Sequence, residues 1–380
     1  MTTYLLHDDA LRSRELRHEI GEPIMDPVTF IEHDGRRIVL ASDLEESIFE
    51  TREDVVDEFW NVEDFGHSDL IRDASFPEHF LGAELAVRAL QKLGVASVSV
   101  PPSFTTLVAD YLRDKGIQVT VEPETWAGRR RQKTPWELEG IERAQRAADV
   151  AMLGAARMLR DAEITNDGRL RFEGEILTAE LVRVSMEAEL LAAGGESQDI
   201  LIQPGDACLR GHDLGMGPIL PDTSCIIDCF PRDRRTGVFS DMTRTFVVGE
   251  PSAELRKMHA DCKAALEVAF ESIKPGTKTA FEDVAAYFES KGYPTQRTHK
   301  GPGGVKSGFR HALGHGVGLE VHEHPWMGRR SEEFQAGDVV AIEPGLYFEG
   351  VGGVRLEDTV LVTEDGVEHF TDPYPYDLEP

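Results

Sequence analysis

Cysteine, lysine and long apolar runs are all in short supply. Four cysteines in 380 residues make no disulfide framework, which fits a reducing compartment. No stretch approaches the roughly 18 consecutive apolar residues of a membrane span. The opening MTTYLLHDDALRSRELRHEIGEP lacks the apolar core of a secretion signal. A cytoplasmic protein with no membrane partner is therefore expected. Acids outnumber Lys and Arg 69 to 40, for a formal net charge of -29. That balance opposes phosphate backbones and excludes nucleic acid as a natural partner. Thirty of the cations are arginine and ten are lysine, which fits a salt-adapted cytoplasm or a compositional bias and does not bear on the reaction.

With 41% hydrophobic residues the chain is globular, and its length suggests two domains. VASVSVPPSFTTLVADYLRDKGIQVTVEP reads as strand, helix, strand. Together with a candidate strand at RRIVLAS and a helix at AELAVRALQKLG, it predicts a small α/β domain over residues 1–125. PETWAGRRRQKTPWE combines two prolines, a glycine and a cationic run, and predicts a linker over 126–136. The second domain, 137–380, opens on a long helix in which Ile141, Ala144, Ala148, Ala151, Met152, Ala155 and Leu159 share one face. Two rounds of helices and a hairpin follow. The first has a helix near 173–193, then CIIDCF and GVFSDMTRTFVVG. The second has helices near 252–273 and 279–292, then VVAIEPGLY and GVRLEDTVLV; a Thr279, Glu282 capping box is expected to open its second helix. The predicted fold class is α/β (α+β), a small α/β domain followed by a duplicated one.

FRHALGHGVGLEVHEHP holds four histidines and three alternate glycines, Gly314, Gly316 and Gly318. A helical zinc motif would place His311 and His315 on one face, but each glycine costs a helix about 1 kcal/mol. The glycines suit a bent extended segment approached closely by other backbone. In extended chain His311 and His315 lie about 13 Å apart, so at most one or two of these histidines bind one ion. Cys225 and Cys229, in SCIIDCF, are likewise about 13 Å apart along a strand and read as buried structural thiols.

Each hairpin carries two acids, Asp228 with Asp241 and Glu343 with Glu357. Pairing Pro231 with Val238 sets Asp228 opposite Asp241, and pairing Leu346 with Val354 sets Glu343 opposite Glu357. Acids in otherwise apolar strands need a cation. Alternation puts Arg244 on the face away from Asp241 and Arg355 on the face of Glu357, and one arginine cannot neutralise four acids. A multivalent metal site is the better solution, with a salt-bridged sheet as the alternative; oxygen ligands and one imidazole suit manganese, cobalt, iron or zinc.

In order and spacing, DCFPRDRRTGVFSDMTRTFVVG, HALGHGVGLEVHEHP, VVAIEPGLY and GVRLEDTVLV resemble the motifs of metallopeptidase family M24, the proline-specific peptidases related to aminopeptidase P and prolidase. The resemblance implies a creatinase/prolidase-like first domain, a pita-bread catalytic domain with a pseudo-twofold repeat, and two divalent ions per chain, manganese first, with cobalt, zinc or iron as alternatives. It implies that Asp241 and Glu357 bridge the ions, that Asp228 completes one site, and that His315 and Glu343 complete the other. Glu343 would also shuttle a proton, His322 would bind the scissile carbonyl, and His212 and His311 would line the substrate pocket. For His212 and His322 taken alone a structural imidazole is the alternative. Arg355 would hold either a substrate carboxylate or a ligand carboxylate. The activity implied is cleavage of Xaa-Pro bonds by metal-activated hydroxide, on peptides with proline second, as aminopeptidase or dipeptidase, in a homodimer. A creatinase-like amidinohydrolase or a non-catalytic member of the fold is the alternative. The arginines 232, 234 and 235 lengthen the first hairpin loop beyond that of many relatives.

Overall fold

The computed structural model describes residues 2–50, 52 and 55–380. The chain divides into two compact units, Met1–Arg130 and Arg131–Pro380. The first unit is built on β1 (Tyr4–Asp8), β2 (Val28–His33), β3 (Arg36–Ala41), β4 (Glu58–Asn61), β5 (Ser97–Val100) and β6 (Gln118–Val121), in the order β4-β3-β2-β1-β5-β6. Asp34 and Gly35 turn β2 into β3, both at positive φ, as a two-residue Asp-Gly hairpin requires. Alternation sends neighbouring side chains to opposite faces. Leu5, Ile31 and Ile38 pack with α3 (His67–Arg72), α4 (Leu81–Lys92) and α5 (Thr106–Asp114). Leu6, Phe30 and Val39 pack on the other face with α1 (Arg14–Ile20), α2 (Asp43–Phe49) and Trp126. The expected strand, helix, strand segment is β5-α5-β6, with its strands parallel.

The segment read as a linker is mostly helix. Its first half lies in α6 (Pro123–Arg131), whose proline occupies the first helical position, where a missing N–H costs nothing. Trp126 is buried edge-on against Tyr4, and Arg129 pairs with Glu19 and Glu32. The apolar anchor and these ion pairs hold as helix a composition that alone suggests a loop.

The second unit begins with α7 (Pro135–Arg160), opened by a capping box between Thr134 and Glu137. The seven apolar residues predicted to share its face are all fully buried. Three short strands, β7 (Glu163–Ile164), β8 (Leu170–Phe172) and β9 (Glu175–Ile176), lead to α8 (Ala179–Ala192). Then come β10 (Gly195–Glu196), β11 (Ile200–Pro204), β12 (Ser224–Cys229), β13 (Arg232–Asp233) and β14 (Met242–Val247). The second round has α9 (Ala253–Ser272), α10 (Ala280–Ser290), β15 (Gly314–Gly316), β16 (Glu323–Met327), β17 (Val339–Ile342), β18 (Gly345–Phe348), β19 (Gly352–Arg355), β20 (Glu357–Val362) and β21 (Val367–His369). The main sheet runs β11-β12-β14-β20-β17-β15-β16, with β21 also paired to β20. α7 and α8 pack over the first half and α9 and α10 over the second, so the duplication expected from the sequence is a pair of halves joined where β14 meets β20.

The capping box expected at Thr279 is absent. Thr279 is itself helical in conformation, and its hydroxyl donates to Asp283 Oδ2 at 2.7 Å instead of accepting from the helix.

Candidate metal centre

The first hairpin is offset by two residues from the expected register. Asp228 stands opposite Thr243, not Asp241. The cause is the turn: Asp233 accepts from Thr236 N, and Gly237, at φ 79°, brings the chain round so that Val238 O receives Asp233 N. A shift of two keeps every side chain on its face, so Asp228 and Asp241 remain diagonal neighbours. Asp241 lies just outside β14, where its backbone N–H and C=O are both bonded to the Thr359 hydroxyl. The second hairpin has the expected register, Leu346 opposite Val354. Glu343 and Glu357 lie between the pairs Ile342–Asp358 and Gly345–Arg355, which share one register. At the junction of the halves Thr243 faces Glu357 and donates to its Oε2 at 2.6 Å.

The four acids therefore meet from both halves of the unit. Burial, reinforced by Glu357, Asp228 and Glu343, raises the Asp241 pKa well above the carboxylate range. Burial first, then Glu343 and Asp228, does the same for Glu357. Burial pushes Glu343 up to about 7 against the pull of Arg355. The compensating cations are few. Arg244 lies on the other face, as alternation predicts, and pairs with Asp358. Arg355 gives Nη2 to Asp228 Oδ2 at 2.5 Å, Nη1 to the Tyr347 hydroxyl at 3.2 Å and Nε to Thr243 Oγ1 at 3.2 Å.

His315 enters from β15. Its Nδ1 lies 3.1 Å from Gly316 O, so Nδ1 carries the proton and Nε2 is left as a lone pair facing the acids. Burial and His322 lower its pKa to about 3, so the ring is neutral, the form that binds metal. Nε2 is 3.8 Å from Asp241 Oδ2 and 3.9 Å from Glu343 Oε1. Those gaps are too long for hydrogen bonds but fit donors arranged about one ion, which at about 2.0–2.2 Å per ligand lie at most about 4.4 Å apart. Donor atoms of Asp241, His315 and Glu357 all lie within 4.8 Å of one another. Asp228 Oδ1 and Asp241 Oδ1 are buried with no hydrogen-bond partner, a condition that costs about 1–3 kcal/mol or more for a charged group. The donor set therefore fits divalent cations. Cys225 and Cys229 are buried thiols outside this group.

The glycines of the histidine segment are explained by close approach. A Cβ on Gly314 would stand 2.0 Å from Ala341 O, and one on Gly316 2.1 Å from His324 O. Gly316→Ala should push β15 away from β16, lower stability by about 1–3 kcal/mol and weaken metal binding by displacing His315. Thermal melts with and without manganese measure both effects; a loss of stability with unchanged metal affinity would contradict the second.

All nine residues singled out from the sequence line one cavity of about 810 Å³: Asp228, Asp241, His315, Glu343, Glu357, His212, His311, His322 and Arg355. His322 stands at its exposed side with its ring 4.2 Å from that of His315, and burial with His212 nearby lowers its pKa. His212 is carried by the exposed loop after Arg210. His311 has Nδ1 on Ala312 O at 2.7 Å and Nε2 at 3.0 Å from the Tyr347 hydroxyl, a neutral tautomer fixed at both nitrogens. His324 is tied to Glu332 at 2.8 Å and is not among the residues that line the cavity.

The family model for metallopeptidase family M24 matches residues 139–364, the stretch that contains every one of these side chains. The chain belongs to metallopeptidase family M24. Among its relatives, an Xaa-Pro dipeptidase of Pyrococcus furiosus is 34% identical over 241 residues, 63% of this chain and 62% of that protein. A putative dipeptidase of Bacillus subtilis, YkvY, is 29% identical over 84% of this chain and 80% of its own length. Among solved structures, an X-Pro aminopeptidase from Thermotoga maritima has a TM-score of 0.75 at 19% identity, covering all of this chain and 97% of its own. An Xaa-Pro dipeptidase from Bacillus anthracis has a TM-score of 0.77 at 21% identity, covering 99% and 94%. The M24 member described here thus has the pita-bread fold with a smaller domain before it.

Three residues whose hydrogen bonds or ring contacts reach the site residues, Thr243, Tyr347 and Arg310, were not singled out from the sequence. Thr243 was within reach of the same reasoning, since alternation puts it on the face of Asp241. Tyr347 follows Glu343 and Gly345 by steps of two in GLYF. Arg310 precedes His311 and gave no pattern signal.

Proposed function

We propose that this chain is a metallo-exopeptidase that hydrolyses Xaa-Pro bonds, with Asp228, Asp241, His315, Glu343 and Glu357 holding two divalent ions. Asp241 and Glu357 would contribute to both ligand sets, Asp228 to one, and His315 with Glu343 to the other. The observation that carries this reading is the pair of buried, partnerless oxygens on Asp228 and Asp241, set among two further acids and a neutral imidazole nitrogen. Such ions, when bound, supply Lewis-acid activation of water and of a carbonyl.

The side chains supply the rest. Arg355 and Thr243 each occupy one oxygen of a ligand carboxylate and orient the other, the role of partners behind a metal ligand. Glu343 faces the cavity between His315 and His311, at 3.9 and 3.8 Å. It is placed to take the proton of the attacking water and pass it to the leaving nitrogen. His322 donates toward the scissile carbonyl as negative charge develops there, typically among the larger catalytic contributions. His212 and His311 bound the substrate. Leu201, Leu209, Leu214, Phe230, Val321 and Trp326 give the cavity apolar walls suited to a proline ring and its neighbour. Manganese is the first metal to test, with cobalt, zinc and iron beside it, and a homodimer is the assembly this reading expects.

The test is hydrolysis of Xaa-Pro substrates beside matched Xaa-Ala substrates by chelator-stripped protein reloaded with each metal. Cleavage confined to the proline series is the expected result. Hydrolysis of neither series, or of both equally, would overturn the reading.

A further inference from the structure

Two guanidinium groups line the cavity, Arg355 and Arg310. Arg355 is buried, and its Nη1, Nη2 and Nε are each committed to a protein oxygen, including a carboxylate of the acidic cluster. Arg310 is different. It is half-buried, its guanidinium lies over the face of Tyr347 at 4.4 Å from the ring centroid, and Nη2 donates to Leu209 O at 2.7 Å. Among the described residues it has no carboxylate partner, in a chain with 69 acids to 40 lysines and arginines. One aromatic ring separates it from the groups that hold the acidic cluster, since the Tyr347 hydroxyl is bonded to Arg355 and His311.

We propose that Arg310 reads the free α-carboxylate of the substrate, and so selects peptides that end at the proline: dipeptides. This rests on the Xaa-Pro reading above and deepens it. A short peptide presents two charged ends, an ammonium and a carboxylate. A guanidinium repels the first and takes the second through paired N–H donors in one plane. Stacking on Tyr347 holds that plane while the bond to Leu209 uses one of five donors, leaving an edge for two oxygens. Each added residue moves the terminal carboxylate by up to about 3.5 Å, so a fixed cation discriminates by length. Arg355 cannot take this part without releasing Asp228, and its place is that of a positioning residue.

The experiment compares kcat/KM of the metal-loaded full chain for an alanyl-proline dipeptide, its C-terminal amide and the corresponding tripeptide, in wild type, Arg310→Gln and Arg310→Lys. Wild type should favour the free acid over the amide by about ten- to a hundredfold, the range for losing a charge-assisted hydrogen bond, mostly through KM. Arg310→Gln should bring that ratio close to one, and Arg310→Lys should restore part of it. A wild-type ratio near one would overturn the assignment with no variant involved. So would an equal fall for acid and amide in Arg310→Gln with the ratio preserved, which is what a clamp on Leu209 alone would produce. Silence toward all three substrates in wild type is a separate outcome: it overturns the Xaa-Pro reading and this assignment with it.

Discussion

Asp241→Asn should abolish hydrolysis and, at the same time, make the metal-free protein more stable. The side chain keeps its shape and the backbone bonds to Thr359 remain, so the change removes one negative charge from the centre of four. Lewis-acid activation is worth several kcal/mol, and each 1.36 kcal/mol is a factor of ten, so activity should fall on the order of a thousandfold or more. Without metal, burial and the neighbouring acids hold that carboxyl's pKa well above the ordinary range, so folding carries the cost of protonating it or burying its charge, with Oδ1 unpartnered. Relieving it should raise stability by about 1–3 kcal/mol, or roughly 2–4 °C per kcal/mol in a unit of this size. Activity assays paired with melts in chelator check both halves. An active variant, or an inactive one whose metal-free form melts lower than wild type, would contradict the account of the cluster.

The second large effect is a reversal in how stability depends on pH. Asp241 and Glu357 have folded pKa values well above the ordinary carboxylate range, and Glu343 is near 7. Such groups bind protons more tightly folded than unfolded. Their contribution is complete below the unfolded value of about 4 and is lost as pH rises through the folded value. Chelator-treated protein should therefore lose stability between pH 5 and pH 8. Bound ions replace those protons, and their affinity rises with pH. Loading contributes about 4 kcal/mol per site at a thousandfold excess over Kd. Melts at several pH values, with chelator and with manganese, should show slopes of opposite sign. Asp241→Asn in chelator should flatten the first slope, which separates the cluster from the general repulsion of an acidic chain. Parallel slopes with and without metal would count against a cation site.

Much of the site was legible because its residues break local rules. An acid in CIIDCF or VVAIEPGLY has no reason to be there unless something pairs with it. Glycines at 314 and 316 disqualify a helix and announce a close approach, which the structure locates at Ala341 and His324. Alternation alone placed Arg244 away from Asp241. What was misread came from turns and tertiary partners. The first hairpin register depended on where the loop closes, and Gly237 with the Asp233 carboxylate closes it two residues out of the expected register. The error did no harm to the clustering because a shift of two preserves faces. The linker composition at 126–136 concealed a helix anchored by Trp126, whose burial is invisible in a window rich in arginine. For Arg355 the sequence left a substrate carboxylate and a ligand carboxylate open, and which acid it holds was beyond reach for a related reason: Asp228 lies on another strand, 127 residues away. Arg310 and Tyr347 matter through contacts with each other, and no spacing rule reports a stacked pair.

The central claim is that the acid cluster exists to hold two ions for Xaa-Pro hydrolysis, and back-titration tests it most directly. Chelator-stripped protein is titrated with manganese while alanyl-proline hydrolysis and bound metal are followed together. The account predicts background activity without metal, a rise that saturates at two ions per chain, and no rise in Asp241→Asn. Full activity in the stripped protein, or saturation of binding at two ions with no hydrolysis of the dipeptide, its amide or the tripeptide, would contradict it.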